Sequence, residues 1–207
     1  MAEKKSSQNN SACYYVTFNV TDWIGLFVRP AYKQAVVESL NSFIESKGLV
    51  VYAWCLLSNH LHLLTKTRPN INFSVTVRAL KKDISKKLFA LMATEPDIRK
   101  EWMLTRFEMA GHSMKRIEKY QLWQNCSNPV HIDFTNKQLL WDHIRYIHEN
   151  PVRDHIVDKP AEYVYCSARS YNGQNGKVKI TVVPMPDNAS AAYNELAAML
   201  QNNEIKN

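Results

Sequence analysis

The sequence predicts a single-domain α+β protein, in which an antiparallel sheet packs against helices. Two observations carry this prediction. Two strand-length apolar runs are separated only by Ser58-Asn59, which is typical of a β-hairpin, and longer segments repeat their apolar residues at helical spacing. A chain of 207 residues is long enough to bury one real core and shorter than chains that usually divide.

The predicted elements begin after a polar leader, residues 1–11, which we expect to be disordered. They are, in order, a strand at 12–20, a helix at 30–48, strands at 50–57 and 60–66, a basic amphipathic helix at 73–92, and a helix at 98–109. The stretch 111–129 is mixed and predicts no element.

The second half of the chain adds one helix and one strand. Thr135 followed by Gln138 resembles a capping box, and an apolar stripe predicts a helix over 137–149 that Asn150-Pro151 ends. The strong alternation of residues 177–183 predicts another strand. We therefore expect a folded body at 12–183 and a tail at 184–207 with one short helix.

Charge favours a polyanionic partner, because the net charge is +7 and the pI is near 9.2. Basic residues gather in two stretches, 81–87 and 106–119, and aromatic rings can stack on bases. The candidate DNA contacts are Lys81, Lys82, Lys86, Arg116 and Trp123. Charge alone is a weak signal, since the lysines also suit solvated helix faces and Trp123 suits ordinary core packing.

Other patterns exclude several classes of protein. The leader lacks the apolar stretch of a signal peptide, and no segment approaches the ~18 consecutive apolar residues of a membrane span, so we expect a cytoplasmic protein without a membrane partner. The four cysteines form no C-x-x-C pair, which disfavours a zinc ribbon and disulfides. The five glycines form no phosphate-binding loop, which disfavours nucleotide-driven mechanisms.

His60 and His62 form the first candidate site. Alternate residues of a strand share a face, so both imidazoles project side by side and are able to bind one cation. Surface or core histidines also arise at this spacing by chance.

Tyr146 and Asn150 form the second candidate site, four residues apart on one face of the helix over 137–149. If the apolar stripe of this helix packs on the sheet, both residues flank the histidines, and the Asn150 carbonyl oxygen is able to serve as a third ligand. The competing interpretation is a partly buried tyrosine and a helix C-cap asparagine.

Together these residues resemble a known family. LSNHLHLL (57–64) resembles the His-hydrophobic-His motif of single-tyrosine HUH transposases. RYIHENPVR (145–153) resembles the tyrosine helix of their REP-associated branch. PAEYVYCSARSY (160–171) resembles the stretch that follows this helix, and LWQ (122–124) resembles a segment that precedes this helix. The resemblance spans about 14–173, and the motifs at 57–64, 145–153 and 160–171 are specific because all three occur in this order and spacing.

The resemblance implies a ferredoxin-like antiparallel sheet, Mg²⁺ or Mn²⁺ as cofactor, and single-stranded or hairpin DNA as substrate. It implies that His60, His62 and Asn150 bind the metal, and that Tyr146 attacks the phosphodiester to give a 5′-phosphotyrosine link and a free 3′ hydroxyl. Related transposases occur as monomers and dimers, so a homodimer with a composite site is possible.

Three other interpretations stay open at this point. A replication or mobilisation initiator would use the same chemistry. A catalytically silent nucleic-acid-binding protein would keep the fold without needing Tyr146. A zinc hydrolase is disfavoured because the His60 strand has no nearby carboxylate.

Overall fold

The computed structural model describes residues 12–112, 119–124 and 128–185. The helices and strands are β1 (Cys13–Asn19), α1 (Pro30–Ser46), β2 (Leu49–Leu56), β3 (His60–Thr67), α2 (Phe73–Thr94), α3 (Lys100–His112), β4 (Val130–Ile132), α4 (Lys137–Arg153) and α5 (Ala168–Tyr171). Short 3-10 turns occupy Thr21–Trp23, Leu26–Val28 and Pro160–Glu162. The leader 1–11, and the tail beyond residue 185 with its expected helix, lie outside the described residues.

The four strands form one antiparallel sheet in the order β2-β3-β1-β4. With α1 between β1 and β2, and helices between β3 and β4, this is the ferredoxin-like arrangement, which confirms the predicted α+β class. The predicted hairpin is present as β2 and β3. In the register between β1 and β3, Thr17 lies opposite His62 and Asn19 lies opposite His60.

Each face of the sheet carries its own apolar cluster. Leu61 and Leu63 pack on one face with α1 and α2, whereas Leu64 packs on the other face with α4. The predicted alternation of β3 is therefore correct, and His62 faces the α4 side between Leu61 and Leu63. In the described ranges, no helix has both the length and the apolar composition to cross a membrane.

The predicted start of α4 at Lys137 is correct, whereas its predicted C-terminal end and its predicted capping box are wrong. The helix runs through Pro151 to Arg153, because the following amides close the last turn: Asp154 N donates to Asn150 O at 2.9 Å. At the other end the cap is Asn136, whose side chain accepts from Leu139 N at 3.0 Å. The Thr135 hydroxyl is instead bound to Asp133 at 2.7 Å, so the expected capping box does not form.

The strand predicted at 177–183 is also wrong. This segment lies along β2 with one backbone bond to it, from Thr181 N to Val51 O at 2.8 Å, while Lys179 N donates to the Asn41 side chain. Burial does not follow its alternation, because Val178 and Val183 are buried whereas Val182, which is in phase with Val178, is 50% exposed. The fourth strand is β4, whose three residues are too few for a recognisable alternation.

Candidate active site

His60 and His62 meet at the start of β3, on the α4 face of the sheet. Their Nε2 atoms are 2.9 Å apart, and their ring planes are nearly perpendicular at 85°. The strand alternation that predicted this pair therefore brings two imidazole nitrogens to one point.

Asn59 fixes the tautomer of His60. The Asn59 Oδ1 atom, which only accepts hydrogen bonds, is 2.6 Å from His60 Nδ1, so this nitrogen carries the proton. The Asn59 amide orientation follows from its other contact, because Nδ2 donates to Trp23 O at 3.3 Å. The lone pair of neutral His60 consequently lies on Nε2, toward His62.

Two hydroxyl groups of β1 hold the far side of His62. Its Nδ1 atom is 2.9 Å from the Tyr15 hydroxyl and 3.2 Å from Thr17 Oγ1. Because His60 Nε2 is an acceptor, His62 Nε2 is the donor in the contact between the two rings, and His62 Nδ1 accepts from these hydroxyls. If Nε2 bound a metal, the proton would lie on Nδ1 and be donated to a hydroxyl oxygen, so the same two residues would hold the ring orientation. Neither residue was identified from the sequence. Thr17 is a polar residue in a largely apolar strand, and it would have indicated a partner for His62 if the register of β1 with β3 had been known.

Burial keeps both imidazoles neutral. It lowers the pKa of His60 to about 4, and it lowers the pKa of His62 well below its usual range, with His60 adding to the effect. Neutral nitrogens have the lone pairs that a cation needs, and they leave its charge undiminished.

The donor types fit a hard divalent cation. The 2.9 Å between the two Nε2 atoms is an N–H···N hydrogen bond in this structure, and a cation that displaced its proton would find two imidazole nitrogens in reach. Imidazole nitrogens combined with amide and water oxygens suit Mn²⁺ or Mg²⁺. Among the described residues, no cluster of three or more His, Cys, Asp or Glu side chains could hold a metal.

Tyr146 lies beside the histidine pair. Its ring meets the His62 ring edge to face, with centroids 5.9 Å apart, and it packs against Tyr15 at 6.3 Å. The guanidinium of Arg153 lies over the same ring at 5.1 Å. The candidate nucleophile therefore lies next to the histidines of the same chain. Its side chain is buried, with only 1% of its surface exposed.

Asn150 is buried inside α4 and is not the C-cap that the sequence suggested. Its Nδ2 atom donates to Tyr146 O at 2.7 Å, so its Oδ1 is the side-chain atom with the lone pairs a cation requires. Its role as a metal ligand stays a prediction.

The lysines of α2 do not join this site. Lys82 and Lys86 are exposed, and Lys81 is half-buried with its ammonium 4.6 Å from the Phe18 ring. Their helix packs on the sheet face opposite the histidines. A DNA molecule that contacts both these lysines and the histidines must therefore extend around the protein. Arg116, the fourth basic residue predicted to contact DNA, lies outside the described residues.

Trp123 belongs to the core. It is 8% exposed, its ring packs against Phe18 and Phe27, and its Nε1 donates to Lys81 O at 3.2 Å. This burial does not suit the base-stacking role expected of it. The cysteines in the described residues, Cys13, Cys55 and Cys166, are free and buried, as the sequence predicted.

Comparison with known proteins gives two matches. Residues 12–120, more than half of the chain, match the family described as "Transposase IS200 like". This span contains both histidines but not Tyr146 or Asn150. A solved REP-associated tyrosine transposase bound to a REP hairpin is 16% identical, with a TM-score of 0.50, over 92% of this chain and 98% of that one, and so shares the fold. No curated protein matches.

Proposed function

Since this chain belongs to the IS200-like transposase family, we propose that it cuts and rejoins single-stranded or hairpin DNA, with Tyr146 as the nucleophile. One observation carries the proposal: the Tyr146 ring lies against His62, where two neutral imidazole nitrogens converge. A tyrosine and a cation site in contact are the parts that covalent phosphodiester exchange requires.

The chemistry follows from these residue types. The Tyr146 oxygen bonds to phosphorus, the bond from phosphorus to the 3′ oxygen breaks, and the phenolic proton is lost as the 3′ hydroxyl gains one. The 5′-phosphotyrosine conserves the energy of the phosphodiester, so another 3′ hydroxyl is able to reverse the reaction on a different strand. Strand transfer is therefore possible without an external energy source.

We propose Mg²⁺ or Mn²⁺ as the cofactor, held by His60, His62 and the Asn150 carbonyl oxygen. When bound, such a cation would polarise a non-bridging phosphate oxygen and lower the barrier to attack on an anionic centre. Imidazole ligands favour Mn²⁺ over Mg²⁺. The Tyr15 and Thr17 hydroxyls orient His62, and Asn59 orients His60.

Two features of Tyr146 bear on catalysis. Arg153 brings a positive charge to its ring, close to the place where an anionic phosphate must bind. Because the side chain is 1% exposed, DNA reaches its oxygen only after Tyr146 turns outward or α4 shifts. The Tyr146 ring and the two histidines of the proposed site come from one chain.

The test is incubation of wild-type protein and Tyr146→Phe with labelled single-stranded and hairpin oligonucleotides plus Mn²⁺ or Mg²⁺. We expect a protein-linked DNA band on a denaturing gel for the wild type, lost in the variant and lost with a chelator. Retained DNA binding without any adduct would instead favour a silent nucleic-acid-binding protein.

A further inference from the structure

Trp23 combines exposure with a position beside the candidate metal site. It ends the 3-10 turn that follows β1, and its indole meets the His60 ring nearly perpendicularly, with centroids 6.0 Å apart. Its surface is 37% exposed. Part of a large flat ring is therefore open to solvent next to one of the two histidines.

The backbone that presents this ring is strained. Asp22 and Trp23 both have a φ of 54°, in the left-handed region that side chains other than glycine rarely occupy. Two consecutive residues of this kind, one of them bulky, persist only when their surroundings impose the conformation, and such strain gathers at functional sites.

The surroundings that impose it are specific. Arg106 on α3 binds the Asp22 carboxylate through Nε at 2.8 Å and through a terminal nitrogen at 2.6 Å. Trp23 N donates to Val20 O at 3.0 Å, and Trp23 O accepts from Asn59, whose other amide atom holds His60. The Asn59 side chain therefore holds both the Trp23 backbone and the His60 ring in place.

We propose that Trp23 is a platform on which an unpaired DNA base stacks next to the phosphate that is cut. This inference rests on the proposed function, and it adds a residue that positions the substrate. Every base offers a π face, so stacking holds a single strand without demanding a sequence. The fixed turn would keep that base at a constant distance from His60, and thus fix which phosphate reaches the histidines.

The experiment compares Trp23→Phe, which keeps an aromatic face, with Trp23→Leu, which removes it. Phe and Leu are both strained at a φ of 54°, so the two variants should differ little in folding stability from this cause. The probe is an oligonucleotide selected for binding to Tyr146→Phe protein from a random single-stranded and hairpin library, and then resynthesised with one abasic position at a time. All variants carry Tyr146→Phe, so only binding is measured.

With Trp23 present, we expect one abasic position to weaken binding by about 5- to 150-fold, the range of one stacked base. Trp23→Phe should keep most of that penalty, and Trp23→Leu should weaken the intact probe and abolish the penalty at the same position. Quenching of protein fluorescence by the probe should fall in Trp23→Phe and persist in Trp102→Phe, the matched change at another exposed tryptophan.

An abasic penalty that survives unchanged in Trp23→Leu would overturn the stacking role and leave DNA cleavage untouched. Quenching lost in Trp102→Phe rather than Trp23→Phe would overturn it as well. Failure of the library to yield any bound oligonucleotide would overturn both this inference and the proposed function.

A second inference comes independently from Asn19. Its Oδ1 atom is buried and has no hydrogen-bond partner within the described part of the chain, and the residue is 5% exposed. Asn19 lies directly opposite His60 in the sheet, where side chains project from the same face. A buried amide oxygen without a partner is unfavourable unless something binds it.

We infer that Asn19 contributes a carbonyl oxygen ligand to the cation of the proposed site, in addition to His60 and His62. Amide oxygens and imidazole nitrogens together suit a hard divalent cation. The inference depends on the metal of the proposed function, and it explains why an unpaired amide is kept in the wall of the site.

The test measures Mn²⁺ affinity by titration calorimetry, and thermal unfolding of the metal-free protein, for wild type and Asn19→Leu. We expect Asn19→Leu to raise the metal-free Tm, because it removes an unpaired buried oxygen, and to weaken Mn²⁺ binding at least about 10-fold. A higher Tm with unchanged Mn²⁺ affinity would show that the oxygen is only a packing defect. A wild-type protein that binds no Mn²⁺ would overturn the metal site as a whole.

Discussion

Removal of the hydroxyl groups behind His62 should weaken the metal site without touching a ligand. Tyr15→Phe deletes the partner at 2.9 Å from Nδ1, and Thr17→Val deletes the one at 3.2 Å. Losing the partner of a metal-binding histidine costs about 10- to 100-fold in metal affinity. Since each hydroxyl partly replaces the other, a single change should cost about 10-fold, or about 1.4 kcal/mol, and the double change should approach 100-fold.

The assay is calorimetric titration of Mn²⁺ into metal-free protein, with unfolding curves to confirm that each variant is folded. Tyr14→Phe is the matched control, because Tyr14 precedes Tyr15 on β1 and stacks on Phe73 at 4.1 Å, on the other side of the sheet. If the double variant bound Mn²⁺ as tightly as the wild type, the reasoning that these hydroxyls orient His62 would be refuted.

Three further predictions concern the core, acid stability and DNA contacts. Trp123→Ala should cost about 3–5 kcal/mol in urea unfolding, as large core truncations do, with the DNA affinity of the folded protein unchanged; the reverse result would restore the stacking role. Burial holds the pKa of His148 at about 3, whereas it is near 6.5 in the unfolded chain, so the unfolded state takes up more protons as pH falls below 6.5. His148 alone should contribute about 2 kcal/mol to the stability lost from pH 7 to pH 5, so His148→Gln should lose about that much less than the wild type, while the other buried histidines still contribute in both proteins; equal losses in both proteins would contradict this. If Lys82 and Lys86 contact phosphates of a single strand, replacing both with alanine should reduce the slope of log affinity against log salt by about 1.4, and an unchanged slope would leave them as solvated residues.

The sequence was sufficient for the parts of the site that lie within one element. The alternation of β3 predicted that His60 and His62 would share a face, and the helical spacing of Tyr146 and Asn150 predicted the same for them. The apolar stripe of α4 predicted that the helix has a buried face, but not which face of the sheet it would cover. Each of these inferences needs only the geometry of a single strand or helix.

The rest depends on contacts between distant segments. Thr17 faces His62 because of the register of β1 with β3, which no local pattern specifies. The left-handed turn at Asp22 and Trp23 contradicts local preference and depends on Arg106, more than eighty residues away. Pro151 likewise remains helical against its usual effect, because the turn that follows closes around it.

The most direct test of the central claim is to locate the bond between protein and DNA. Protein incubated with Mn²⁺ and a cleaved oligonucleotide would be digested with protease and nuclease, and the peptide carrying nucleotide mass would be sequenced by mass spectrometry. We expect a 5′-linked nucleotide on the phenolic oxygen of Tyr146. A nucleotide on any other residue, or DNA cut without a protein bond, would contradict it.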